Sequence, residues 1–349
     1  MRTQLLLVSA LLASFVFGTQ VAAAEEAILT AAVIREAVAK SIPLLERGSR
    51  GSIEQRKQCF NCHNQGLPVM ALTEAQARGF VVDTENLLQQ VEFTANFLKK
   101  NQDRYLKGAG QGGGIDTAGY ALWTLDVGKW PSDEITSAVT DYLLQHQSDL
   151  DHWQPQSVRP PGERSYFTST YVALRGLNAY CPPDQQERFN ARRAKIQEWL
   201  ATAKPEETED HVFRLRILTL PNFEKVDRER AAAELMATQR DDGGWPQTAE
   251  MTSDAYATGS VLVTLQQAGS LSTDDLRYRR GLAYLISQQK DDGSWHVVSR
   301  AEPFQSYFES GYPHGKDQFI SIAAASWATM ALTLALPPEA VEAKAAPTE

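Results

Sequence analysis

Residues 280–295, "RGLAYLISQQKDDGSW", repeat the pattern of residues 230–245, "RAAAELMATQRDDGGW". Each stretch starts on arginine, runs through apolar residues at helical spacing, and ends in Gln followed by Asp-Asp-Gly-x-Trp. A fainter copy, "AVTDYLLQHQSDLDHW" (138–153), keeps Gln147 and Trp153 but loses the glycine. A fourth, "VEFTANFLKKNQDRYLKGAG" (91–110), keeps only the helix, Gln102 and a glycine-rich exit. Self-similarity every few tens of residues marks a repeat architecture in which no unit buries its apolar face alone.

Each of these helices leads into a second stretch rich in small and apolar residues: 114–128, 165–180, 252–269 and 318–336. Their near-absence of charge predicts helices buried on most sides, while the first set carries a polar face and belongs outside. Pro131, the pair Pro182-Pro183 and Pro221 separate units. The pattern gives six helical hairpins, at roughly 28–79, 84–128, 131–180, 184–220, 223–269 and 273–336. The fourth is the weakest, because "HVFRLRILTL" (211–220) is short for a helix. Six outer and six inner helices predict an all-α fold, an α/α toroid. Arg280-Gly281, Tyr284-Leu285-Ile286, Gln288, Gly293 and Trp295, with Arg230, Gln239, Gly243 and Trp245, resemble the Gln-Trp repeat of squalene–hopene cyclases and prenyltransferase-type toroids. The resemblance implies that Gln caps the outer helix and that the Trp ring stacks over the turn, tying one unit to the next.

The chain starts Met1-Arg2, runs apolar from Leu5 to Gly18 and reaches Ala22-Ala23-Ala24. One positive charge, a short apolar core and a small-residue cleavage site are the parts of a secretory signal peptide. The apolar run is shorter than a membrane span requires. The expected organisation is a signal peptide over 1–24, one toroid over 25–337 and a disordered tail over 338–349, in a periplasmic or secreted protein with no transmembrane segment once mature. Hydrophobic residues at 43% and charged residues at 22% fit a globular protein. A net charge of −9 argues against nucleic acid or an anionic membrane as partner. Three cysteines make no disulfide framework, and Cys181 reads as a small buried hydrophobe.

"QCFNCHNQGLPVMAL" (58–72) carries the sharpest chemical signal. Cys59-Phe60-Asn61-Cys62-His63 has the spacing of covalent haem attachment, two thiols for the vinyl groups and an imidazole for the iron. Haem of this kind is attached outside the cytoplasm, which agrees with the export signal. The alternatives are a Cys59–Cys62 disulfide and a zinc half-site, the latter short of the usual four ligands. Residues 62–79 align by eye with 253–269, so the motif falls at the start of the first inner helix. The chain thus resembles secreted squalene-cyclase-like repeat proteins with a c-type haem signature, a group without a settled activity.

That reading assigns haem c to Cys59, Cys62 and His63, with His63 as the proximal iron ligand. His314, in the long loop before the last inner helix, is the candidate distal ligand, because a closed ring sets its last inner helix beside its first. Arg159 in "RPPGERS" is a candidate for a haem propionate, and Met70 reads as core. Asp116, Asp254, Tyr256 and Asp317 stand at inner-helix starts, where acid–base work and N-capping compete as explanations. The Asp-x-Asp-Asp acid of squalene–hopene cyclases and the Asp-Asp-x-x-Asp magnesium motif are both absent. The leading expectation is electron transfer or haem-assisted redox chemistry on a small molecule in the central cavity, with a redox protein partner. A non-catalytic binding toroid with a Cys59–Cys62 disulfide and a terpene-cyclase-like isomerase are the alternatives.

Overall fold

The computed structural model describes residues 29–303 and 306–339. The signal-peptide and cleavage-site expectation falls outside these residues, as does most of the 338–349 tail. Glu339 is described, and its backbone N–H donates to the Ala77 carbonyl at 3.2 Å.

Among the described residues, twelve principal helices alternate between two concentric layers. The outer ones are α1 (Ala31–Gln55), α3 (Thr84–Lys100), α5 (Glu134–Gln145), α7 (Gln186–Thr202), α9 (Lys225–Met236) and α11 (Leu276–Gln288). The inner ones are α2 (Leu67–Gln76), α4 (Gly114–Val127), α6 (Tyr166–Tyr180), α8 (Thr208–Leu218), α10 (Ala255–Gln267) and α12 (Gln318–Leu334). All six expected hairpins are present, including the fourth, whose α8 is short but regular. The inner helices are apolar on nearly every side because neighbours cover nearly every side: in α12 everything from Ser321 to Thr333 is buried. Several outer helices are capped by polar side chains. Asp133 accepts from the Ile135 and Thr136 backbones at the start of α5, and Asp83 accepts from the Asn86 backbone at the start of α3. Among the described residues no helix is long and apolar enough to cross a membrane.

The repeat residues act at the corners between outer and inner helices. Trp153, Trp245 and Trp295 are fully buried. Their indole N–H groups donate to the carbonyls of Leu143, Leu235 and Leu285 at 3.0, 3.1 and 2.7 Å. Each of those carbonyls belongs to the last turn of an outer helix, where backbone partners run out; Leu285 O also accepts from Gln289 N at 3.1 Å and Leu235 O from Thr238 N at 3.3 Å. The tryptophan thus hydrogen-bonds the helix end as well as packing beneath it. Gln239 donates to Gly243 O in its own turn and to Arg277 O on the next outer helix, at 2.9 and 2.8 Å. In the last unit the equivalent residue is Gln289, not the Gln288 that the sequence pattern suggested. Gln289 donates to Gly293 O at 3.0 Å and to Ala37 O, on α1, at 2.9 Å. The same device that joins consecutive units therefore closes the ring. Gly293 is obligatory there, since its φ is 89° and a Cβ would lie 2.4 Å from the Lys40 carbonyl of α1. Behind this joint α12 packs on α1 and α2, with Ser41 and Thr329 hydroxyls 2.8 Å apart.

Candidate functional site

Because each hairpin returns on itself, all inner helices start at one end of the ring. Each brings a polar residue to that end. The first contribution is the Cys59–His63 segment. Phe60 is buried against Phe97, with ring centroids 6.1 Å apart, which fixes the extended approach to the helix. Cys62–Gly66 then winds as a π-turn before α2 begins. A buried amide chain holds this turn: Gln65 accepts from Asn61 N at 2.8 Å and donates to Gln90 at 3.2 Å, and Gln90 donates to Asn86 at 3.1 Å. Asn61 also donates to Ser52 Oγ of α1 at 3.0 Å. π-turns occur preferentially at functional sites, because the extra residue re-aims a side chain.

Cys59, Cys62 and His63 are half-exposed, and both cysteines are unbonded thiols. Cys62 and His63 nevertheless lie deep among protein atoms, and burial is the largest influence on the titration of both. His63 Nδ1 stands 3.8 Å from Cys62 Sγ, and the Phe319 ring meets the imidazole edge-on at 5.3 Å. Burial, reinforced by the positive charges of Arg159 and Arg56, pushes the His63 pKa down to about 3. Burial pushes the Cys62 thiol up to about 12. The site thus holds a neutral imidazole beside a protonated thiol.

Two carboxyl groups complete this end. Asp116 is buried on α4 and accepts from Ser169 Oγ of α6 at 2.6 Å, while its other oxygen has no partner. Burial raises its pKa to about 8, with Glu163 and Glu209 adding to the rise. Glu209, in the first turn of α8, accepts from Thr168 at 3.0 Å and from Tyr256 OH at 3.2 Å. Burial raises its pKa to about 7. Tyr120 and Tyr256 are both buried and pushed upward, by burial first and then by the Glu209 charge. Arg159 sits in a small antiparallel bridge with Glu163, paired to its carboxylate through Nε at 2.7 Å. Its charge reaches Cys62, His63 and Asp116 together.

The sequence candidates therefore separate into two groups. Cys62, His63, Asp116, Tyr256 and Arg159 act on one another. Asp254 is the N-cap of α10, accepting from Ala257 N at 2.9 Å and from Gln247 at 2.9 Å. Asp317 precedes α12 without capping it, and accepts instead from Ser299 N and from His296, both at 3.0 Å. Asp116 is not a cap either: Gly113 holds that position, and the carboxyl crosses to α6. His314 is engaged by Ser294 and His296. Its Nε2 is 2.8 Å from Ser294 Oγ, and its ring stacks on His296 at 4.6 Å. Ring closure does bring the last inner helix to His63, but the residue that arrives is Phe319. Glu209 was not singled out from the sequence, although its place at the start of an inner helix matches Asp116 and Asp254.

No family model matches the chain. Among solved structures, the type II terpene cyclase MstE from Scytonema (apo) has the same fold. It superposes with a TM-score of 0.55 at 14% identity, covering 88% of this chain and 99% of that one. A possible member of GH105 family from Salmonella enterica subsp. enterica serovar Paratyphi A matches more loosely, with a TM-score of 0.47 at 11% identity over 84% of this chain and 93% of that one. The chain is an α/α toroid. At this identity the likeness carries the fold and no activity.

Proposed function

We propose that this chain is an exported c-type haem protein built on an α/α toroid, with Cys59 and Cys62 as attachment points and His63 as iron ligand. The observation that carries the reading is His63 itself. It directly follows the Cys-x-x-Cys spacing, keeps part of its surface open, and is held neutral, the protonation state that metal ligation requires. The neighbouring residues fit the group as well. Nδ1 faces Cys62 Sγ, which leaves Nε2 for the iron, and Phe319 fixes the ring plane. Arg159 and Arg56 supply positive charge for haem carboxylates. A haem bound there would supply one-electron chemistry. Asp116 and Glu209 each hold a proton near neutral pH at the same end, so the protein itself can deliver protons to a small molecule bound there.

Terpene cyclisation, which the fold of MstE raises, is disfavoured by Asp116. An acid that protonates an alkene must be strong, and burial makes Asp116 a weak one with a pKa of about 8. The test is expression with residues 1–24 in a bacterium that has c-type haem assembly, followed by a pyridine haemochrome spectrum and intact mass. A mass gain of one haem with a c-type spectrum is the expected result. A colourless protein two protons lighter than the thiol form would replace this reading with a disulfide-bearing binding toroid.

A further inference from the structure

The opposite end of the inner ring, where the inner helices finish, opens into a cavity of about 450 Å³. Every inner helix lines it, through Met70, Trp123, Tyr171, Arg216, Thr264 and Trp327. Arg216 is only 4% exposed. Its guanidinium carbon lies 4.9 Å from the Trp327 ring, 5.7 Å from Trp123 and 5.8 Å from Tyr171, so aromatic faces surround the charge. One of its nitrogens, Nη1, reaches Gln267 Oε1 at 3.4 Å, while Nε and Nη2 have no hydrogen-bond partner. Trp327 Nε1 and Thr264 Oγ1, on the same cavity wall, are also buried without partners.

The other charges there are already paired, although Arg175 Nε is also buried without a hydrogen-bond partner. Arg175 donates to Asp126 at 2.5 Å, and Glu74 is paired with Arg78. Glu209 sits within electrostatic range of Arg216 but is held by Thr168 and Tyr256. A buried guanidinium with at least three of its five N–H donors unpaired is costly to a fold, and so are an indole N–H and a hydroxyl left unpaired beside it. We propose that this cavity is a binding site for a monocarboxylate with an apolar body. Its carboxylate accepts from the Nε–Nη2 edge of Arg216, the face whose two parallel N–H groups match two carboxylate oxygens. Trp327 Nε1 is the adjacent donor. The body lies along Met70, Met330, Val263 and Leu220. One uncompensated cation calls for a single negative charge, and the volume suits a small organic ligand. The site is separate from Cys59, Cys62 and His63 and does not rest on haem.

Isothermal titration of the full chain with octanoate, 1-octanol and inorganic phosphate tests the assignment. Octanoate should bind one per chain, at least tenfold tighter than octanol, and phosphate should give no saturable heat. Arg216→Gln should cut octanoate affinity at least tenfold and leave octanol unchanged. Trp327→Phe, which removes only the N–H donor and keeps a ring, should weaken octanoate severalfold, and it serves if the arginine variant does not fold. Equal affinity for octanoate and octanol, phosphate binding as tightly as octanoate, or no octanoate binding at millimolar concentration would each overturn the proposal. The titration reads the same on haem-loaded and colourless protein, so a failed haem assignment leaves it intact.

Discussion

The two ends of the inner ring are built from the same six helices and have opposite chemistry. Where the helices start, the ring presents a thiol, a neutral imidazole and two carboxyl groups whose protons burial retains. Where they finish, it presents a buried cation walled by aromatic rings. Helix dipoles favour this distribution, carboxylates at the starts and a cation at the ends, but only when those groups are charged. At the first end desolvation outweighs the dipoles and keeps the acids neutral. At the second the arginine, which cannot shed its proton, stays charged and lacks a counter-ion. The lesson is that in a ring this tightly packed, burial sets the charge state and the side-chain type decides what remains unbalanced.

The sharpest way to separate the ends is Cys62→Ser. Covalent haem should be lost altogether, as read by haemochrome spectrum and mass, while octanoate affinity at the far end stays within twofold. Loss of both would mean that the ends form one site. Gly293→Ala should have the next largest effect, because it strikes the joint that holds both ends. A methyl group at φ 89°, 2.4 Å from the Lys40 carbonyl, forces the closing corner apart. A loss of about 2–4 kcal/mol in chemical denaturation is expected, with haem retention and octanoate binding impaired together. Gly269 gives the matched control: its φ is 67° but nothing lies within 4 Å, so Gly269→Ala should cost only about 1 kcal/mol.

What could be read from the sequence follows from the range of each interaction. The corners are legible because Gln, Gly and Trp act on backbone within one stretch of sixteen residues, and the bonds to the next unit come with them. The register of the last copy was misread by one residue, since two consecutive glutamines, Gln288 and Gln289, both fit the pattern. The Cys59–His63 segment is legible because covalent chemistry imposes its own spacing. Glu209 and Arg216 are not. Both lie in the short fourth inner helix, where a carboxylate at the start and an arginine near the end read as ordinary dipole partners. Only the convergence of five other helices buries them. His314 shows the same limit from the other side: topology brings the last inner helix to His63, and the side chain packed on the imidazole is Phe319.

The acidic end predicts a pH dependence with a definite sign. Asp116 moves from 3.8 in the unfolded chain to about 8 when folded, and Glu209 from 4.5 to about 7. Between those values the folded chain binds more protons than the unfolded one, so stability is greatest below about pH 4 for these two groups and falls as pH rises toward 8. Asp116→Asn should flatten this fall, so that its melting temperature drops by at least about 3 °C less than that of the native chain between pH 5 and pH 8. Glu209→Gln should do the same over a window that ends nearer pH 7. If both variants keep the native slope, these acids are ionised in the fold and the neutral-acid description of this end is wrong.

The smallest effect expected is the one that would join the ends. Arg216 belongs to the far cavity, yet its charge lowers the Glu209 pKa from what burial alone would give. Removing that charge with Arg216→Gln should therefore move the lower-pH part of the stability profile upward, so that the fall assigned to Glu209 continues to higher pH. The shift should be a fraction of a pH unit, because the two groups form no ion pair and Glu209 keeps its bonds from Thr168 and Tyr256. Octanoate provides the complementary reading without mutation. A carboxylate bound on Arg216 neutralises it, so saturating octanoate should shift the native profile in the same direction as the variant and have no further effect on the variant itself. A profile that moves with Arg216→Gln but not with octanoate would place the ligand away from the guanidinium. One that moves with neither would make the two ends electrostatically independent, whatever helices they share.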